Sequence, residues 1–374
     1  MKVTCNVQSL LAACQICSMA TAPRTTKPLL SNIKAIAQDD ALVIMATDLE
    51  LGIRYELRGI KVSRAGSAIL PVDKLVSILR ETKDDELTID CGEDSTRVTM
   101  KGGKYELPTG DPAEFPDVPP FEDASQYHEL SAGTLRQMMR RTAFAANRKD
   151  NSARFRVDGV LWEAEKGKAR LVATDTKRLA MVEGPAELFG ETDDKPQSHL
   201  VPLKAIQILE RNLTDDGERV RIALRTSDAM FQTERATIHT KLVEGRFPPY
   251  QQFIPKKFAV KIPLTVTDFL AKVRQAAITS DDESKRVDFT FSEGLITLRA
   301  RGPETGSSEV KMDLPEYTST TINIAFDPVF LTEMLKAIEG EPSMTLEMTD
   351  ALKPAVFRVG DNYLYLVMPM GERE

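Results

Sequence analysis

Apolar positions along this chain recur in two rhythms, a period of two and a helical period near 3.6, and the same succession of rhythms returns three times. The stretch 69–79 reads ILPVDKLVSIL: the apolar end of a strand, a Pro, then a helix with aliphatics on one face. It comes back as LVPLKAIQIL at 200–209 and as IAFDPVFLTEMLKAI at 324–338. Pro71 and Pro202 are 131 residues apart (202 − 71), and Pro202 and Phe326 are 124 apart (326 − 202). Other landmarks keep that register: Leu11, Leu135 and Leu270 in the first helix of each copy, Ala-Thr-Asp at 46–48 and 173–175, and Phe115-Pro116 with Phe247-Pro248. A period that long exceeds any solenoid repeat, so the pattern predicts three domain-sized copies, bounded at 1–125, 126–256 and 257–374.

Within copy one the alternation predicts strands at Lys2–Asn6, Ile33–Ala37, Ala41–Thr47, Gly52–Leu57, Leu87–Cys91, Arg97–Lys101 and Tyr105–Leu107. Helices are expected from Val7 to about Met19 and over Asp73–Arg80, and a Pro- and Asp-rich linker from Pro108 to Ser125. Copy two repeats the order with a strand at His128–Leu130 and Ser131 as the N-cap of a helix reaching about Asn147. Strands at 155–162, 169–173 and 179–182, a helix at 202–213 and three more strands complete it. Copy three has helices at 265–279 and 327–338 among strands that end with Tyr363–Met370. Each copy is two helices and about eight short antiparallel strands, which is the α+β class.

Composition narrows the class without naming a reaction. Hydrophobic residues at 42% and charged residues at 28% are those of a globular protein, and no apolar run approaches the ~20 residues of a membrane span. The opening Met1-Lys2-Val3 enters a strand directly, so no signal peptide is expected. Cys5, Cys14, Cys17 and Cys91 show no framework spacing and suit a reducing, cytoplasmic compartment. Cys14 and Cys17 resemble half of a zinc site, but nothing completes it, so core thiols and no metal are expected.

Charge supplies one clue. The total is −7, from 49 basic and 56 acidic residues, yet no acidic residue lies between Glu129 and Asp150. Five basic ones do: Arg136, Arg140, Arg141, Arg148 and Lys149. Arg136 and Arg140 share a helix face, opposite the apolar stripe Leu135, Met138, Met139 and Thr142. Arg24 and Lys27 add charge in a loop of copy one. Unpaired positive charge on an acidic protein predicts a surface for a polyanion, and the lack of interleaved aromatics argues against base stacking.

Candidate chemistry is otherwise absent. There is no Gly-rich phosphate loop, no nucleophile elbow and no metalloprotease helix. His128, His199 and His239 fall in or beside predicted strands, as structural histidines do. Asp48 and Asp175 recur in register after Ala-Thr, where an Asp accepts backbone N–H groups in a turn. An enzyme using that pair and a scaffold ring unrelated to DNA are competing readings.

Three stretches carry a specific resemblance: 173–180 (ATDTKRLA), 241–250 (KLVEGRFPPY) with Ile254-Pro255, and 365–370 (YLVMPM). With the three-copy layout and the length, they resemble the bacterial DNA polymerase III β subunits, the sliding clamps. That resemblance implies three tandem clamp folds per chain and a head-to-tail homodimer forming a closed ring around double-stranded DNA. Helices would line the hole and antiparallel sheets form the outer wall. It implies no catalysis and no cofactor, and a ring that tethers the replicative DNA polymerase catalytic subunit. It further implies a groove between the second and third domains that receives short motifs of polymerases, the clamp loader and repair proteins. By position the groove comprises Val157, Thr174, Thr176, Lys177, Arg178, Leu179, Pro248, Phe253, Leu366, Val367, Met368, Pro369 and Met370. Arg178 and nearby backbone groups are expected to orient the motif. The family's DNA contacts fall on Arg24 and the loop Arg148–Asn151, including Lys149 and Asn151. The dimer contact falls on Lys74, Ile78, Tyr105 and Leu107 against Ile278. Thr176-Lys177 stands where the family often has Gly-His, and Asp327 where it often has Asn.

Overall fold

The computed structural model describes residues 1–22, 24–92, 94–121, 126–146, 157–165, 167–190, 197–281 and 285–371. Among the described residues six α-helices come two to a copy: α1 Val7–Ser18, α2 Val72–Glu81, α3 Ala132–Thr142, α4 Leu203–Asn212, α5 Val266–Ala277 and α6 Pro328–Ala337. Their starts are written locally. Asn6 Oδ1 accepts the Ser9 N–H at 3.0 Å, Ser131 Oγ the Thr134 N–H at 3.3 Å, and Asp327 Oδ1 the Val329 N–H at 2.8 Å. Pro71 and Pro202 take the N-cap position of α2 and α4, and in copy three Asp327 holds that place, with Pro328 as the first helical residue. The α3 helix ends at Thr142, short of the expected Asn147, and passes into a 3-10 turn at Ala143–Ala145. The buried Thr142 hydroxyl donates to the Met138 carbonyl at 2.8 Å there, a back-bond that favours such an ending.

By contacts the chain forms two compact units, Met1–Arg136 with Ala186–Leu242, and Gln137–Pro185 with Val243–Glu374. The contact units therefore divide copy two, and strand pairing gives the reason. In the first unit Leu51–Arg58 pairs antiparallel with Ala236–Lys241, Leu51 opposite Thr240. In the second, Arg178 and Leu179 lie opposite Val367 and Leu366. The first unit also holds a five-stranded sheet, in spatial order 61–64, 2–6, 86–91, 95–100 and 103–108. The strand Lys61–Arg64 was not foreseen; its mostly exposed residues lack apolar alternation. The second unit holds a four-stranded sheet in the order 306–314, 294–302, 287–292, 322–326.

Each unit has its own core. In the second, Phe269, Phe289, Phe326 and Phe357 are buried, and Phe269 reaches both Phe289 and Phe357 with ring centroids 6.1 and 6.3 Å apart. Such pairs contribute ~0.5–1.5 kcal/mol beyond the burial of their area. In the first, all four cysteines are free and buried. Burial pushes the Cys5 and Cys14 thiols up to about 12, so they pack as small apolar groups and not as nucleophiles. Among the described residues, no helix is long and apolar enough to cross a membrane.

Candidate partner groove and nucleic-acid face

Two turns of one design mark the ends of the Ala-Thr-Asp strands. Asp48 Oδ1 accepts the N–H groups of Glu50 and Leu51 at 3.0 and 2.8 Å, and Asp175 Oδ1 accepts those of Lys177 and Arg178 at 3.0 Å each. The Thr47 hydroxyl donates to the Leu51 carbonyl at 2.9 Å, and Thr174 repeats this with Arg178 at 2.5 Å. The residue after each Asp is left-handed, Leu49 at φ 77° and Thr176 at φ 76°. Both carboxylates therefore serve the backbone, as the sequence reading expects.

The second turn opens onto the end of the chain. The Met368 N–H donates to the Lys177 carbonyl at 2.8 Å, and the Met370 N–H to the Ala325 carbonyl at 2.8 Å, so the terminal segment is strapped down at both ends. These bonds and the pairing of 178–179 with 366–367 bring Thr174, Thr176, Lys177, Arg178 and Leu179 together with Leu366, Val367, Met368, Pro369 and Met370. Val157, Thr174, Arg178, Leu179, Pro248, Leu366 and Val367 are buried, while Thr176 and Lys177 are exposed. Among the residues expected to line the groove, the large apolar side chains left in the open are Phe253, 53% exposed, and Met368, 42% exposed. The exposed Val329, at the start of α6, was not anticipated.

Arg178 differs from expectation. Its Nε donates to Asp175 Oδ2 at 2.9 Å, its Nη2 to the Phe144 carbonyl at 2.9 Å, and its Nη1 to Glu333. The guanidinium lies 4.4 Å from the centre of the Phe330 ring and 5.4 Å from that of Phe144. At 7% exposure it is an internal strut joining copies two and three, committed to the fold and not free to orient a motif. Phe144, Phe330 and Glu333 escaped the sequence reading. The spacing of Phe330 and Glu333 along α6, three residues, was the signal that both share one face.

The basic face is also more committed than its sequence suggests. Arg24 and Lys27 are exposed, and so is Arg140. Arg136 is not an unpaired charge: its Nη1 donates to the Leu213 carbonyl at 3.0 Å, and it forms an ion pair with Asp216. Partners about eighty residues away in sequence close it off. Arg148, Lys149 and Asn151 lie outside the described residues. Of the expected interface residues, Lys74 and Tyr105 are exposed, Ile78 and Leu107 are buried, and Ile278 is 77% exposed. Among the described residues, no cluster of three or more His, Cys, Asp or Glu is arranged to hold a metal.

Family comparison accounts for this layout. Models of the N-terminal, central and C-terminal domains of the DNA polymerase III beta subunit match residues 1–119, 129–249 and 251–371. The chain belongs to the DNA polymerase III beta subunit family. It is 28% identical to the beta sliding clamp of Pseudomonas aeruginosa over 374 residues, covering 99% of this chain and 100% of that one. To the beta sliding clamp of Chlamydia pneumoniae it is 28% identical over 349 residues, 92% of each. Among solved structures it is similar to a Pseudomonas aeruginosa sliding clamp bound to griselimycin, at 27% identity and a TM-score of 0.90, each chain covered completely. The fold is three tandem clamp domains, and the function is that of a processivity clamp, a non-catalytic subunit. The enzymatic reading of Asp48 and Asp175 falls on both counts.

Proposed function

We propose that this chain closes head to tail with a second copy into a ring around double-stranded DNA, holding the duplex without reading its sequence. Its domains are 1–125, 126–256 and 257–374. The groove at Leu179, Phe253 and Met368 receives short motifs of the replicative polymerase catalytic subunit, the clamp loader and other partners, in the cytoplasm. The observation that carries the ring is a pair of open sheet edges. Gly103–Pro108 ends the five-stranded sheet and Gly306–Leu314 the four-stranded one, each pairing with a single described strand. Such edges are templates for another chain, and joining the two unlike edges of two copies gives a heterologous contact that closes a ring. The exposed Tyr105 and Ile278 supply apolar surface near those edges, while the exposed positive charge of Arg24 and Lys27 suits phosphates.

Sedimentation tests this. Tyr105→Asp with Ile278→Asp places charge on both sides of the contact at residues that a single chain leaves open, so the subunit still folds. Monomers from the double variant and dimers from the parent are expected. Intact dimers from the variant sink the assignment.

A further inference from the structure

We propose that Tyr250 is the positioning residue of the groove, mooring the Pro248–Phe253 turn so that Phe253 stands in the open for a motif-bearing partner. This rests on the groove reading given above. The Tyr250 hydroxyl donates to Glu163 Oε2 at 2.7 Å, and Arg170 Nη1 reaches the same carboxylate oxygen at 2.8 Å and the phenol oxygen at 3.4 Å. Arg170 Nε is held in turn by Glu183 at 2.6 Å. Burial and Glu163 push the phenol up to about 12, so the proton that makes the mooring bond stays on through neutral pH. From Tyr250 the constraint runs along one 3-10 turn: the Gln252 N–H donates to the Pro249 carbonyl at 3.1 Å and the Phe253 N–H to the Tyr250 carbonyl at 3.0 Å. The Phe247 ring meets the Tyr250 ring edge-on, 6.3 Å between centres.

Copy one shows what the same segment does without a mooring. Counting from Phe115-Pro116 as from Phe247-Pro248, Val118 stands for Tyr250 and Phe121 for Phe253. Val118 is buried with Met45 and Ile69, and Phe121 is buried with Ala223 and Met230. That closure needs a glycine: a Cβ on Gly52 would come within 2.9 Å of Val118 Cγ2. Gly52 follows the first Asp turn as Leu179 follows the second, so copy two has a leucine side chain at the position where copy one has none. Position 250 therefore carries a phenol tied to a polar cluster in place of an apolar plug, and Phe253 stays exposed where Phe121 is covered. One boundary is closed by the chain itself, and the other is kept open.

The test is a double-mutant cycle on the full-length protein with a fluorescein-labelled peptide, Gln-Ala-Leu-Leu-Phe, read by anisotropy. Tyr250→Phe removes one oxygen and leaves the ring packing. It is expected to weaken peptide binding about tenfold, and to change affinity less than twofold once Phe253→Ala is present, because the hydroxyl acts through Phe253. A merely structural role would give the same loss in both backgrounds, which overturns the proposal, as does a Tyr250→Phe affinity within twofold of the parent. Leu179→Asp separates the two readings. If it abolishes binding while Tyr250→Phe has no effect, the groove stands and the positioning role falls. If it leaves binding intact, or if the parent does not bind the peptide, the groove reading itself is wrong and takes the proposal with it.

Discussion

Arg178 and Asp175 sit three residues apart and are joined twice, through the Arg178 backbone N–H and through its Nε, at 3.0 and 2.9 Å. The first bond shapes the turn and the second ties the turn to a buried cation that also grips Glu333 and the Phe144 carbonyl. Removing one partner of a buried ionic network leaves the others uncompensated, at a cost of about 3–5 kcal/mol. Arg178→Ala should therefore lower the unfolding free energy of the second unit, measured by denaturant titration, by about 3 kcal/mol or more. Arg178→Lys should recover less than half, since an ammonium cannot span three acceptors and stack on Phe330. An Arg178→Ala variant as stable as the parent, with weaker peptide binding only, would mean that the residue serves a ligand and not the fold.

Thr176 is a β-branched residue at φ 76°, a region that costs an ordinary side chain roughly 1–2 kcal/mol. The backbone bonds of the turn hold it there: Thr176 N–H to Thr174 Oγ1 at 3.1 Å, and the two N–H groups that follow to Asp175. Thr176→Gly relieves that strain but gives the unfolded chain more freedom, worth about 0.5–1 kcal/mol against it. The net expectation is a gain of several tenths of a kcal/mol, seen as a higher unfolding temperature. Thr176→Ala, which keeps the Cβ, should show no gain; equal gains from both would place the strain elsewhere.

Local chemistry was legible and long-range partners were not. The Ser131 cap and the twin Asp turns read directly because their partners lie within a few residues. The repeat gave the element order, since two helices per copy follow from periodicity alone. Arg136 looked free because Leu213 and Asp216 meet it only in the fold, and Arg178 looked available because Phe144, Phe330 and Glu333 approach from other elements. Periodicity also cannot show that copy two shares its strand partners with both neighbours, Ala236–Lys241 with Leu51–Arg58 and Arg178–Val182 with Tyr363–Val367.

Burial holds the imidazoles of His128, His199 and His239 below their ordinary range. At His239, Asp228 lies 3.5 Å away and opposes that lowering. A histidine whose folded value is lowered binds fewer protons folded than unfolded, so its contribution is complete above the unfolded value of ~6.5 and is lost as pH falls through it. Urea midpoints should therefore decline from pH 7.5 to 5.5. His128→Gln should flatten that decline more than His239→Gln, because no counter-charge is among the causes at His128. A slope that neither substitution changes would assign the dependence to carboxylates.

The ion pair of Arg136 separates two kinds of positive charge, and salt distinguishes them. A cation that meets phosphate releases counterions, which gives about 0.9 of slope in log affinity against log salt for each contact on duplex DNA. Arg24 and Lys27 are exposed, whereas Arg136 is already held by Asp216 and the Leu213 carbonyl. Arg24→Ala with Lys27→Ala should then flatten the slope by nearly 2, about 0.9 for each residue, with stability unchanged because neither side chain is buried. Arg136→Ala should leave the slope as it is and lower stability, since the Leu213 carbonyl loses its donor and Asp216 its counter-charge. Both quantities come from anisotropy titrations on a labelled duplex at several salt concentrations, beside denaturant unfolding of the same proteins. If Arg136→Ala flattens the slope as far as the loop variants do, the Asp216 pair opens on DNA and the residue belongs to the nucleic-acid face after all.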